Sequence, residues 1–128
     1  MIVGVGIDVV NIAEMEDILR SIPPAVKSII FTREEIVRSG QEADPVEYLA
    51  TRFAAKEAVT KAIAPRVEKG AFDYDMRIVE TLNREDGSPY VSVSPELREV
   101  MEFAGVLSVH VSISTESGHA YALAVAEG

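Results

Sequence analysis

Residues 44–64, DPVEYLATRFAAKEAVTKAIA, decide the fold of this 128-residue chain. Asp44 as N-cap, Pro45 at the first helical position and Glu47 at the third make a strong helix start. Pro65 supplies the stop. Between them the spacing predicts one long helix. At about 100° per residue, Val46, Leu49, Ala50, Phe53, Thr60 and Ile63 share a broad face, with Glu47, Thr51 and Ala55 opposite and expected in solvent. Glu57 falls inside the apolar face, so a carboxylate is expected to point inward. Lys61 lies one turn further on the same side, and Arg52 and Lys56 flank the stripe.

Upstream, VGVGIDVV (3–10) reads as a buried strand until Asp8 interrupts it. A buried charge is costly without a partner, a metal or a task. NIAE (11–14) has the form of a capping box and starts a helix to about Ser21. After SIPP, a short helix is expected from Pro24, and TREE (32–35) opens another that ends near Gly40. Downstream, YDMRIVETL (74–82) alternates as a strand does, and Asp86-Gly87 turns it into PYVSVS. SPELREVMEFAG is a capped helix closed by Gly105, its stripe of Leu97, Val100, Met101 and Ala104 read as core. LSVHVSIST and HAYALAVAE follow as two strands joined at Glu116-Ser117-Gly118. The order β-α-α-α-β-β-α-β-β predicts an α+β fold, a largely antiparallel sheet packed on the long central helix. One domain spanning 1–128 is expected.

Net charge is −9, with most basic residues before position 70, which argues against a general nucleic-acid binder and places any anionic ligand on the first half. No apolar run approaches the roughly 18 residues of a membrane span. There is no cysteine and no secretory pattern at the N-terminus, which suits a cytoplasmic protein.

Two inward carboxylates on separate elements, Asp8 and Glu57, can hold a hard divalent cation such as Mg2+, which completes its shell with waters and substrate phosphates. Lys61 could then neutralise those phosphates. The plainer alternatives are a Glu57–Lys61 pair at i,i+4 and Asp8 as a helix cap, although Asn11 is better placed to cap. A histidine on a strand, as at His110, is commonly structural, and His119 falls in a turn.

GVGIDVVNI, RFAAKEAVTKAIA (52–64), GSP (87–89) and HVSIST (110–115) together resemble the holo-acyl-carrier-protein synthase family, in its order and spacing. The resemblance implies the 4′-phosphopantetheinyl transferase fold. It also implies Mg2+-dependent transfer of the phosphopantetheine arm of coenzyme A to a serine of an acyl carrier protein, with release of adenosine 3′,5′-bisphosphate. Position by position, the family's metal-binding residues fall on Asp8 and Glu57 and its phosphate-contacting lysine on Lys61. Arg52, Lys56 and His110 match positions lining the coenzyme A site, and Gly87 and Pro89 match a turn near the nucleotide. The family is homotrimeric, with active sites between subunits.

Several features depart from that pattern. The first helix, from which the family offers arginine to the acidic carrier protein, here carries Glu14, Glu16 and Asp17, leaving Arg20, Lys27, Arg33 and Arg38 for docking. The family's glycine after its K-A pair is replaced by Ala64-Pro65, with Gly70 later. The G-K-P turn is Gly87-Ser88-Pro89, and Thr115 stands where many relatives have histidine. Two further readings are a paralogue that modifies a carrier domain of a multidomain synthase, and a non-catalytic oligomeric module that binds coenzyme A or carrier protein.

Overall fold

The computed structural model describes residues 1–64 and 75–128. In chain order these form β1 (Ile2–Asn11), α1 (Ile12–Ser21), α2 (Pro24–Ile30), α3 (Arg33–Ser39), α4 (Pro45–Ile63), a 3-10 turn (Met76–Ile78), β2 (Val79–Asn83), β3 (Pro89–Val93), α5 (Pro95–Ala104), β4 (Ser108–Glu116) and β5 (His119–Glu127). The helix starts follow their caps. Asn11 accepts from the Glu14 amide at 3.0 Å, Asp44 from Glu47 at 3.0 Å and Ser94 from Leu97 at 3.1 Å. Thr32 and Glu35 form the full reciprocal box. Gly105 ends α5 in the left-handed conformation, φ 71°.

Among the described residues every strand pairing is antiparallel: one sheet runs β1-β5-β4 and a separate ribbon pairs β2 with β3. Ser117 and Gly118, both at positive φ, make the tight turn between β4 and β5. Ala120, Ala122, Ala124 and Ala126 of β5 are buried, and beside them β1 presents Gly4 and Gly6 to α4. A Cβ at Gly4 would lie 1.8 Å from the Ala62 carbonyl oxygen, and one at Gly6 would lie 1.9 Å from that of Ala58. Strand and helix therefore meet backbone to backbone. Two strand residues advance about 6.6 Å and four helical residues about 6 Å, so the glycines step along β1 nearly in time with successive turns of α4. Asp8 is the next residue on that strand face.

Two expectations are corrected. α4 is not two-faced, since Thr51 and Ala55 are buried as well. Alanines at 50, 54, 55, 58 and 62 are apolar wherever they point, so no stripe distinguishes the inner side. Its more open edge runs through Phe53, Glu57 and Lys61, so Glu57 borders solvent-accessible space instead of entering the core. The second strand begins at Val79, because Asp75 caps a 3-10 turn by accepting from the Arg77 amide at 2.9 Å. Tyr74, Pro65 and Gly70 lie outside the described residues. Among the described residues, no helix is long and apolar enough to cross a membrane.

Candidate active site

Asp8 lies on the helix-facing side of β1, its side chain 18% exposed. The Lys61 ammonium reaches back from α4 and donates to Asp8 Oδ1 at 3.1 Å and to the Ile7 carbonyl at 3.0 Å. The Lys61 ammonium thus ties α4 to the strand. Asp8 and half-buried Glu57 both line one cavity of about 510 Å³. Glu14 adds a third carboxylate to its polar end, and Ile18, Phe31 and Phe53 form part of its apolar wall.

These donors fit Mg2+, which takes oxygen ligands and keeps several positions for waters and phosphates. Among the described residues no group of three or more His, Cys, Asp or Glu side chains is arranged to hold a metal alone. A cation here would use two carboxylates of the chain and depend on its substrate for further ligands. The 52% exposed Lys61 side chain has a long stem and room to turn from Asp8 toward a phosphate.

The remaining expected residues occupy other places. Lys56 is sealed inside, with its ammonium 2.7 Å from Glu35 Oε1 and donating to the carbonyls of Met76 at 3.0 Å and Val79 at 2.5 Å. Burial pushes its pKa down, against the pull of Glu35. Buried Arg52 stacks 4.4 Å over the Tyr48 ring and donates to the Thr81 carbonyl at 3.1 Å. Desolvation lowers the pKa of Arg52 and raises that of Tyr48.

Arg52, Arg38, Arg84 and Gly87 line a second groove of about 560 Å³, together with Glu42, Asp44, Glu47 and Glu85. Pro89 opens β3 opposite Asn83, and its carbonyl accepts from Arg84 at 3.2 Å. His110 is exposed on the sheet face turned away from α4, with Nε2 2.6 Å from Glu127 Oε1. Within one copy, then, Asp8, Glu57 and Lys61 come together, Arg52 and Gly87 share a different groove, and Lys56 and His110 join neither.

Residues 4–126 match the family model described as the 4′-phosphopantetheinyl transferase superfamily. The chain belongs to that family.

A holo-[acyl-carrier-protein] synthase of Hamiltonella defensa is 35% identical to this transferase over 127 residues, covering 99% of this chain and 98% of its own. The crystal structure of the Neisseria meningitidis holo-[acyl-carrier-protein] synthase superposes with TM-score 0.88 at 34% identity over the whole of both chains. The Helicobacter pylori enzyme, solved in complex with coenzyme A, superposes with TM-score 0.79 at 25% identity, covering 96% of this chain and 99% of that one.

Sequence reasoning missed two acidic residues near these sites of the transferase. Glu14 was read for its cap and surface charge, yet a first-turn residue directly after β1 stays close to Asp8. Glu35 was read as half of a capping box. Its second oxygen faces the Thr81 amide at 3.4 Å, and only the meeting of α3, α4 and β2 makes it the partner of Lys56.

Proposed function

We infer that this transferase moves the 4′-phosphopantetheine arm of coenzyme A to a serine hydroxyl of an apo acyl carrier protein, releasing adenosine 3′,5′-bisphosphate. The observation that carries the site is that Asp8 and Glu57, from elements about fifty residues apart in sequence, line one cavity beside the Lys61 ammonium. Asp8 and Glu57 would hold Mg2+ there. When bound, Mg2+ supplies positive charge against the pyrophosphate of coenzyme A and makes its phosphorus more open to attack.

The chain's own groups do the rest. Lys61, released from Asp8, offsets charge that builds on the departing bisphosphate. Glu57 gives the serine proton a carboxylate acceptor on the cavity wall. The apolar wall of Ile18, Phe31 and Phe53 excludes water from one side of the reacting phosphorus. The assignment of Arg52, Gly87 and Pro89 to the nucleotide end of coenzyme A rests on the resemblance, since Glu42, Asp44, Glu47 and Glu85 line the groove alongside Arg52 and Arg84. Lys56 acts through α4, on which it neighbours Glu57.

A homotrimer with sites between subunits goes with this reading. Its support is the outer sheet face, where Val5, Ile7 and Val9 are 57%, 61% and 49% exposed beside Leu123. His110 lies on that same face and would meet a site only through a neighbouring copy. Residues 1–128 act as a single transferase domain, supported by the span of the family match. A cysteine-free sequence suits work in the cytoplasm.

The test is incubation with coenzyme A, Mg2+ and a panel of apo carriers, both free proteins and excised synthase domains, followed by intact-mass measurement. The expected result is addition of one phosphopantetheine arm to a free carrier protein. No addition to any carrier overturns the reading, and addition to synthase domains alone moves it to the paralogue.

A further inference from the structure

The groove beside the β2–β3 turn is poorly furnished for a phosphate. Among the described residues, Glu42, Asp44, Glu47 and Glu85 line it against the guanidinium groups of Arg38, Arg52 and Arg84. Two of those cations are already engaged. Arg52 stacks over the Tyr48 ring and donates to the Thr81 carbonyl. Arg84 lies 5.0 Å over the Tyr90 ring and donates to the Pro89 carbonyl. That leaves Arg38, exposed on α3, against four carboxylates.

The turn directs its donors inward. The Gly87 amide donates to the Arg84 carbonyl at 2.9 Å. The Ser88 amide and hydroxyl both donate to Asp86 Oδ1, at 2.9 and 2.5 Å, and these bonds hold the Asp86 carboxyl below the usual carboxylate range. A loop that cradles a phosphate keeps its amides free to converge on it. This one offers no free amide or hydroxyl at 87 and 88. One donor on the groove wall is unused: Tyr48 is 8% exposed, and its hydroxyl is buried without a partner among the described residues.

Hydrogen-bond character decides what such a groove accepts. A phosphate monoester carries about two negative charges near neutral pH and brings acceptor oxygens to a lining that is itself rich in acceptors. A hydroxyl is neutral, donates to a carboxylate and accepts from a phenol. Like charges facing each other across a site select against the group that brings them. A ribose with a free 3′-hydroxyl therefore matches this lining better than one that is 3′-phosphorylated.

We propose that this groove does not select for the 3′-phosphate of coenzyme A, so that 3′-dephospho-coenzyme A serves as arm donor about as readily as coenzyme A itself. This rests on the transferase reading above, with the nucleotide end in this groove. The chemistry at phosphorus is the same for either donor. The serine oxygen bonds to the phosphorus that carries the pantetheine arm, the bond from that phosphorus to the bridging pyrophosphate oxygen breaks, and the serine proton passes to Glu57. The departing group is adenosine 5′-monophosphate in place of the 3′,5′-bisphosphate.

Transfer and binding are measured apart. Arm addition to an apo carrier protein is followed by intact mass, with Mg2+ and either donor. Calorimetric titration of the enzyme without carrier compares adenosine 5′-monophosphate with adenosine 3′,5′-bisphosphate. The kcat/KM for the dephospho donor is expected to fall within about threefold of that for coenzyme A, or above it. The monophosphate should bind at least as tightly as the bisphosphate. Glu47→Arg and Glu85→Lys should each shift both ratios about tenfold toward the 3′-phosphorylated ligand. Glu85 is exposed in the turn, so its variant makes no demand on helix packing, and circular dichroism confirms that both variants fold.

A wild-type preference for coenzyme A beyond that limit overturns the proposal and leaves the transferase reading standing, as do charge reversals that move neither ratio in folded variants. No transfer from either donor, with the monophosphate bound at least as tightly as the bisphosphate, overturns the transferase reading and supports the groove's indifference to the 3′-phosphate. Binding of neither nucleotide overturns the groove as their site, and the proposal with it.

Discussion

Gly6→Ala tests how the site is held together. The added methyl would lie 1.9 Å from the Ala58 carbonyl oxygen and 2.9 Å from the Ala62 amide nitrogen, both backbone atoms. Ordinary contact begins near 3.4 Å, so α4 must retreat from β1 by about 1.5 Å. Overpacking of this kind costs about 1–3 kcal/mol, and the upper end is expected because no rotamer change relieves a backbone collision. The retreat also moves Glu57 away from Asp8, and a misplacement of about 1 Å can cost on the order of a hundredfold in rate. Urea denaturation followed by intrinsic tyrosine fluorescence gives the stability loss. Arm transfer at saturating coenzyme A, under conditions where the variant stays folded, gives the rate. Because the obstruction is a carbonyl, adding Ala58→Gly should not rescue the variant. A Gly6→Ala protein within about 0.5 kcal/mol of wild type, with transfer within twofold, would refute the close-approach argument.

Other outcomes follow from the same geometry. Glu35→Ala leaves the Lys56 ammonium buried without its anion and should cost about 3–5 kcal/mol in denaturant unfolding; a loss below about 1 kcal/mol would show that the pair is not sealed. Adding Lys56→Met should recover only part of that loss, since the Met76 and Val79 carbonyls would lose their donor. Burial holds Lys56 below its ordinary pKa and Tyr48 above its own. As pH rises toward the ordinary lysine value, the unfolded chain keeps a proton that folded Lys56 has lost, so this group adds stability. Tyr48 works oppositely, because the unfolded phenol ionises first. Tyr48→Phe should therefore hold its stability better than wild type as pH rises above about 10, and parallel denaturation curves there would contradict this. Asp8→Ala and Glu57→Ala should each abolish arm transfer in a folded protein, and near-normal turnover at saturating Mg2+ in either variant would remove the two-carboxylate site. Lys61→Ala should lower kcat more than it shifts the Mg2+ dependence, and an unchanged kcat would leave Lys61 only its bond to Asp8.

What sequence revealed and what it hid divide by range of interaction. The caps at Asn11, Thr32, Asp44 and Ser94, and the turn at Ser117-Gly118, are decided within about four residues, and each forms where its chemistry places it. The orientation of α4 was not legible, because a helix of alanines shows the same character on every side. Glu57 was expected inward on a periodicity argument that the structure does not support. It meets Asp8's cavity from the helix's open edge, and the glycine contact of β1 is what brings the two elements so close. The fate of Lys56 was hidden for a related reason. Its anion comes from α3 and its carbonyl acceptors from the 3-10 turn and β2, so no local pattern marks it as internal. His110 was legible as an alternating strand residue, but which side of the sheet it faced was settled only by pairing with β5.

The pairing of β1 has a consequence for how the molecule is made. Among the described residues its hydrogen-bonded neighbour is β5, with Ile2 opposite Glu127 and Asp8 opposite Ala122. During synthesis the segment bearing Asp8 waits for more than a hundred further residues before its ladder partner exists. Until then an aliphatic ribbon of Ile, Val and Gly lacks even the strand that covers one of its edges, the kind of nascent segment that associates wrongly or recruits a chaperone. The strand that carries Asp8 is therefore set in its ladder late, when the distant strand slots in beside it.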